Sequence, residues 1–139
     1  MPWSLKEYEN FAYQVINLSP NIESSNLVLQ HRGKTACRLT GTIYFKKAIK
    51  LEILERLNFL DDRKEFIDEY GYVVWQDDQR LYWYDSHGHP NDPSLQSNHL
   101  HHKHIPPDIK RHRIPAPEIS FKKPNLAFLI QEIDNQFFS

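Results

Sequence analysis

Apolar and polar residues alternate along much of the chain between residues 27 and 85, and this pattern constrains the fold more than any other feature. A repeat of two residues is typical of strands that bury one face. The short connections between the repeats require antiparallel neighbours. We therefore predict an antiparallel meander of about five strands. The segments with this alternation are 27–29, 37–45, 49–57, 66–75 and 80–85.

One of these segments admits two interpretations. Ile49, Leu51 and Ile53 alternate with polar residues, as in a strand, but Leu51, Leu54 and Asn58 are also spaced as on one face of a helix. Predicted strands on both sides favour the strand.

Helices are predicted at both ends of the chain. Ser4 and Glu7 have the spacing of a capping box, and Trp3 and Tyr8 that of a hydrophobic staple. Pro124 suits the first turn of a last helix, because its missing N–H costs nothing there. We expect an α+β fold in one domain, residues 1–139, with both helices on one face of a curved sheet. The apolar stripe of the last helix is Leu126, Leu129, Ile130, Ile133 and Phe137.

Composition limits the classes of function. The formal net charge is -1, so any attraction to nucleic acid must be local. The single cysteine, Cys37, lies on an apolar strand face and is expected to serve packing; one cysteine also favours a reducing compartment. The chain shows neither a secretory signal pattern nor an apolar run of membrane-spanning length. We predict a cytoplasmic protein without membrane association.

The segment from Ser86 to Lys123 follows no period, and its prolines oppose regular helix and central strand. We expect a long loop, which in a compact domain tends to be functional or disordered. Seven of the chain's eight histidines lie between His87 and His112. Residues 101–123 also contain six Lys or Arg against two Asp or Glu. Histidines and positive charge are thus concentrated in the same segment.

Three interpretations of this segment compete. Metal-free RNA cleavage needs a base and an acid, which histidines supply near neutral pH, and a cation to stabilise the phosphorane. Trp83 and Tyr84 could stack a base if they face one surface. A metal site is suggested by the three His-x-His pairs, although they match no fixed zinc spacing. The histidines could also be solvated or bonded to backbone carbonyls.

The residues from the last predicted strand onward resemble those of a known family. Tyr84-Asp85, His89-Pro90 and His101-His102-Lys103-His104 precede a Pro-rich stretch and an amphipathic helix, as in the TumE family of toxin–antitoxin systems. The stretch from Pro106 to Pro117 resembles the cyanobacterial branch. The resemblance covers residues 66–134. Family members often have two adjacent histidines near His89, where this chain has a glycine between His87 and His89.

The resemblance implies a small toxin neutralised by a DNA-binding antitoxin, with RNA as the substrate usually suspected. The family's His-His-Lys-His motif is matched directly by His101, His102 and His104, with Lys103 between them. We predict a ribonuclease in which His101 or His102 is the base and His104 or His89 the acid. Lys103 and Arg111 would hold the phosphate. Arg113, Tyr84 and Asp85 complete the predicted substrate-binding set.

We predict no cofactor and no resident metal, and the sequence leaves a homodimer open. The first alternative is a binding module without catalysis, or a decayed toxin, in which the histidines are structural. The second is a metal-dependent hydrolase. In each case the loop is expected to return to the sheet and bring His101–His104 to the end of the Trp75–Tyr84 hairpin.

Overall fold

A computed structural model describes residues 3–60, 64–86, 101–105, 113–116 and 118–139, and of residues 113–115 it describes the backbone. These residues form one antiparallel sheet of eight strands with a helix near each end. The elements are α1 (Leu5–Tyr13), a 3-10 helix (Val15–Leu18), β1 (Ile22–Ser25), β2 (Val28–His31), β3 (Ala36–Phe45), β4 (Ile49–Asn58), β5 (Ile67–Gln76), β6 (Gln79–Asp85), β7 (His102–His104), β8 (Arg113–Pro115) and α2 (Leu126–Phe137).

The strands from β3 to β8 follow one another in chain order, so the predicted meander is confirmed and extended. Residues 49–58 form a strand, and the helical alternative is wrong there. β1 and β2 both pair with β3, on the side away from β4. The link between them passes close to Gly41, where a Cβ would lie 2.8 Å from the Asn26 carbonyl oxygen and φ is +140°. Glycine is required at this crossing.

One face of the sheet carries the core, and both helices pack on it, as predicted. Ser4 and Glu7 form the capping box that starts α1, with both hydrogen bonds at 3.1 Å. Tyr8 of α1 and Leu129 of α2 are fully buried. Cys37 is buried in the same core. We call this the core face and the opposite one the open face. The buried strand residues include Leu39, Ile43, Leu51, Ile53, Tyr70, Tyr72, Val74, Tyr82 and Tyr84.

The prediction that Ser86–Lys123 has no regular structure is wrong at two places, because it contains β7 and β8. β7 pairs with β6, so the His-His-Lys-His motif does lie beside the predicted hairpin, but as an added strand. Three-residue strands are too short to show a period, and their pairing depends on backbone groups of the neighbouring strand, which is β6 for β7 and β7 for β8. Pro115 lies in β8, outermost among the described strands, where a missing N–H is tolerated.

The remainder of the predicted loop, residues 87–100, 106–112 and 117, lies outside the described residues. Of the two α-helices in the described part, neither combines the length and apolar character that a membrane span requires.

Candidate functional site

The His-His-Lys-His motif is divided between the two faces of the sheet. In β7, His102 is opposite Asp85, Lys103 is opposite Tyr84 and His104 is opposite Trp83. Residues paired across strands share a face, and successive residues alternate. Since Tyr84 belongs to the core face, Lys103 lies there too. His102 and His104 lie on the open face, and the motif therefore supplies two separate groups of side chains.

One cluster on the open face contains the His104 imidazole, the Asp85 carboxylate and the Trp83 indole. We call these three residues and His102 the imidazole site. His104 Nε2 is 3.1 Å from Asp85 Oδ2. The same carboxylate oxygen accepts a hydrogen bond from Trp83 Nε1 at 3.2 Å. The rings of Trp83 and His104 are 4.7 Å apart. A carboxylate against one ring nitrogen orients an imidazole, as proton transfer requires.

The imidazole site is sheltered on one side and accessible on the other. His102 and His104 are 4% and 3% exposed, and both count among the buried polar residues. The Asp85 side chain is 22% exposed to solvent. Trp83 is also half-buried. Asp85 and Trp83 of β6 are therefore the more exposed members of the imidazole site.

On the core face, Lys103 is held by α2. Its Nζ is 3.0 Å from Glu132 Oε2 and 4.3 Å from the centre of the Tyr82 ring. Tyr84 donates its phenol hydrogen to the same Glu132 oxygen at 2.8 Å. Burial, and then the Glu132 carboxylate, raise the pKa of Tyr82 and Tyr84 well above the usual value. Both phenols thus remain neutral, and Glu132 balances the Lys103 charge.

The first histidine of the motif also belongs to the core face. His101 is 8% exposed, and its Nδ1 is 2.5 Å from the Tyr70 hydroxyl. Its ring is 4.6 Å from that of Phe121. Burial, followed by the Asp85 charge, raises the pKa of Tyr70, which keeps this phenol protonated. These contacts suit a histidine that positions the start of β7.

Sequence reasoning missed a buried carboxyl, Glu55. Its side chain is 0% exposed and accepts hydrogen bonds from Tyr8 and from Tyr72, the latter at 2.5 Å. Asn125 Nδ2 in turn donates to the Tyr72 hydroxyl at 3.0 Å. Burial raises the Glu55 pKa, although the two tyrosine hydrogen bonds lower it. The sequence does contain a signal for this buried carboxyl, because Glu55 takes a position in the apolar alternation of β4, between Ile53 and Leu57.

The structure locates the other predicted site residues in part. Tyr84 and Trp83 lie on opposite faces, so they do not form one stacking surface. The backbone of Arg113 pairs with His104 in β8. His89 and Arg111 lie outside the described residues. Within the described segments, no three His, Cys, Asp or Glu side chains are arranged to hold a metal ion.

Comparison with known proteins identifies the family. A family model described as Toxin TumE matches residues 12–137. The chain belongs to the TumE toxin family. The resemblance in residues 66–134 is thus confirmed, and the match also covers an N-terminal half in which no motif was found. Membership makes this TumE protein the toxin of a toxin–antitoxin system and implies an antitoxin partner. No significant match was found among curated proteins or solved structures.

Proposed function

We propose that this TumE toxin cleaves RNA without a metal ion, through acid–base catalysis by His102 and His104. The observation that supports this most strongly is the imidazole site itself. It contains two imidazoles on one face of β7, one of them 3.1 Å from the Asp85 carboxylate. Histidine pairs of this kind supply a base and an acid near neutral pH.

The proposed reaction is an internal transfer followed by chain release. His102 takes the proton of a 2′-hydroxyl, and the 2′ oxygen forms a bond to the neighbouring phosphorus. The bond from phosphorus to the 5′ oxygen breaks, and His104 protonates that leaving oxygen. The products are a 2′,3′-cyclic phosphate and a free 5′-hydroxyl. Asp85 is a positioning residue in this scheme, since it contacts His104.

The other predicted residues take different parts in this proposal. Lys103 is neutralised by Glu132 on the core face, so we assign it to holding β7 against α2. We assign phosphate binding to Arg113, whose backbone is paired with His104, and to Arg111. His89 remains a second candidate for the acid. Tyr84 and His101 support the strand from the core face.

The test is cleavage of a single-stranded RNA at neutral pH in EDTA by toxin purified free of its antitoxin. We expect His102→Ala and His104→Ala each to lower the rate by about 100-fold or more. The matched control is His31→Ala, an exposed histidine on β2. Cleavage by the folded His102 and His104 variants at the wild-type rate would contradict the proposal. Cleavage that EDTA abolishes would favour the metal-dependent alternative.

A second measurement tests the chemistry. An RNA with one 2′-O-methyl group at the cleavage position has no nucleophile there and should stay intact at that bond. The unmodified RNA should yield a 2′,3′-cyclic phosphate end. A cut at the methylated position would rule out attack by the 2′ oxygen.

A binding module without catalysis is the second candidate, favoured by the burial of His101, His102 and His104. Diethyl pyrocarbonate, which modifies accessible imidazoles, separates the two candidates. Catalysis requires that His102 and His104 of the free toxin react and that a non-cleavable RNA protects them. Reaction at exposed His31, with neither of them modified, would instead support the binding module.

We also propose that the antitoxin binds DNA and that the toxin acts on cytoplasmic RNA. The family supports an antitoxin partner, and the DNA-binding property comes from the resemblance. A gene for a small helical DNA-binding protein beside the toxin gene is the expected finding. An isolated toxin gene would instead favour a decayed copy.

A further inference from the structure

The open face carries aromatic rings and cations beside the imidazole site. Trp75 of β5 is opposite both Lys50 of β4 and Arg80 of β6. The Arg80 guanidinium lies 4.2 Å from the centre of the Trp83 ring and 6.0 Å from that of Trp75. Lys50 Nζ lies 5.6 Å from the Trp75 ring. These four residues form a continuous row, which we call the indole strip.

A bulge assembles the indole strip. Arg80 and Trp83 are three residues apart, so a regular strand would place them on opposite faces. The register of β5 with β6 shifts between Val74 and Trp75, where Arg80 takes the position opposite Trp75. An extra residue in one strand turns its neighbours to the other face. The bulge thus brings Arg80 onto the face of both indoles.

The indole strip leads directly into the imidazole site. Trp83 is 4.7 Å from the His104 ring and donates its indole N–H to Asp85. The order across the sheet is therefore a cation, an indole, a cation, an indole and an imidazole. The indole strip and the imidazole site are therefore continuous on the open face.

In the part of the chain that the structure describes, residues of the open face around the indole strip are exposed. Both helices pack on the core face, and Tyr44 and Leu54 of the open face are each 40% exposed. A Cβ added to Gly71 would meet nothing within 4 Å. Gly71 is opposite Asp85, so among the described residues there is space beside the imidazole site.

We propose that the indole strip binds single-stranded RNA by stacking unpaired bases on Trp75 and Trp83. This inference rests on the proposed ribonuclease function and names the substrate class. Unpaired bases stack on aromatic side chains of a sheet, whereas the bases of a duplex are already stacked on each other. Lys50 and Arg80 lie over the same rings, so a base that stacks there takes their place and leaves both cations to meet the phosphates.

Charge alone does not explain such a site, since the open face also carries Glu52, Glu69 and Asp85. Glu69 is bound to Arg56 at 2.8 Å, toward the other end of β5. Stacking, which tolerates any base, therefore supplies most of the affinity. We expect weak sequence preference and a clear preference for single strands.

The test measures binding separately from cleavage, with a fluorescent single-stranded oligonucleotide that carries 2′-O-methyl groups throughout. Loss of one stacking partner should weaken binding by about tenfold. We expect this in Trp75→Leu and a similar loss in Arg80→Ala, where the exposed position limits any effect of the substitution on folding. The matched control is Arg32→Ala, an exposed arginine outside the indole strip, with binding within twofold of wild type. A duplex of the same length should bind more weakly.

The outcomes separate this inference from the proposed function. Weaker oligonucleotide binding by Trp75→Leu and Arg80→Ala would support the indole strip whether or not the toxin cleaves RNA. Wild-type affinity in folded Trp75→Leu and Arg80→Ala would overturn the indole strip and leave the cleavage result standing. Equal losses in Arg32→Ala, or equal binding of duplex, would also overturn it. So would loss of antitoxin binding in Trp75→Leu with unchanged oligonucleotide binding, which would assign the face to the antitoxin.

Discussion

At the scale of single residues, the imidazole site depends on one carboxylate that serves two neighbours. Asp85 Oδ2 is 3.1 Å from His104 Nε2 and accepts the Trp83 indole N–H at 3.2 Å. The carboxylate thus links the proposed acid to the indole strip. Its removal should affect the orientation of the imidazole more than the affinity for RNA.

We predict that Asp85→Asn lowers kcat for RNA cleavage by at least about tenfold, because the amide orients the imidazole less well. Affinity for the 2′-O-methyl oligonucleotide should remain within twofold of wild type. Steady-state kinetics beside the binding assay separate these effects. A change confined to KM would argue that Asp85 contacts the substrate instead of positioning His104.

Glu55 gives a prediction about stability. Burial raises its pKa, so in the folded protein the carboxyl keeps its proton at pH values where the unfolded chain has lost it. Its contribution to stability is therefore full below the unfolded pKa and is lost as pH rises through the folded pKa. Glu55→Gln cannot ionise. As the pH rises from the unfolded pKa of Glu55 to its folded pKa, the free energy of unfolding of wild type should fall relative to that of Glu55→Gln. The fall should be at most about 1.4 kcal/mol per pH unit.

Urea denaturation at a series of pH values measures this difference. Glu52→Gln, an exposed change on the opposite face of β4, is the control and should follow the wild-type profile. A difference between wild type and Glu55→Gln that does not vary with pH would show that Glu55 titrates alike in both states.

At the scale of elements, β7 is held from two sides. Backbone pairing joins it to β6 and β8, while Lys103 joins it to α2 through Glu132. Both side chains of this ion pair are 18% exposed, so the pair is largely removed from water. Breaking a sheltered pair leaves the remaining charge without compensation.

We predict that Lys103→Met destabilises the protein by about 1–3 kcal/mol, since it leaves Glu132 largely buried and uncompensated. Affinity for the non-cleavable oligonucleotide should not change. Lys122→Met, at an exposed lysine, serves as the control for lost charge. Wild-type stability together with weakened binding would return Lys103 to the phosphate-binding role.

For the whole molecule, the core face and the open face have separate tasks. Tyrosines, with Glu55 and Glu132, build a hydrogen-bonded core under the helices. The tryptophans of β5 and β6 lie on the other side with Arg80 and the imidazole site. The proposed RNA-binding and catalytic groups thus lie on the face that the helices leave open.

In cells, we predict that induced wild-type toxin arrests growth and that His102→Ala and Trp75→Leu relieve the arrest. His31→Ala should remain toxic. The measurement is growth after induction without antitoxin, with protein levels compared by immunoblotting. Equal toxicity of His102→Ala at equal protein level would exclude the imidazole site as the cause of the arrest. Co-expression of the antitoxin should restore growth in every toxic strain.

Much of this molecule follows from local pattern. The alternation in residues 37–57 and 66–85 predicts the strands from β3 to β6, because the two-residue period of a strand is visible within one continuous stretch of sequence. The Ser4–Glu7 box and the stripe of α2 predict the two helices for the same reason. The His-His-Lys-His motif, together with Tyr84-Asp85, His89-Pro90 and the Pro-rich stretch before the last helix, also suggested the toxin family.

Only the tertiary structure decided which side chains meet. β7 is too short to show a period, so the division of His101 and Lys103 from His102 and His104 came from its pairing with β6. The contact of Lys103 with Glu132, 29 positions away, required α2 to pack on the sheet. The bulge opposite Trp75 moved Arg80 to the open face against the local alternation. Strand periodicity is a property of neighbouring residues, whereas pairing register and face depend on partners that are distant in the chain.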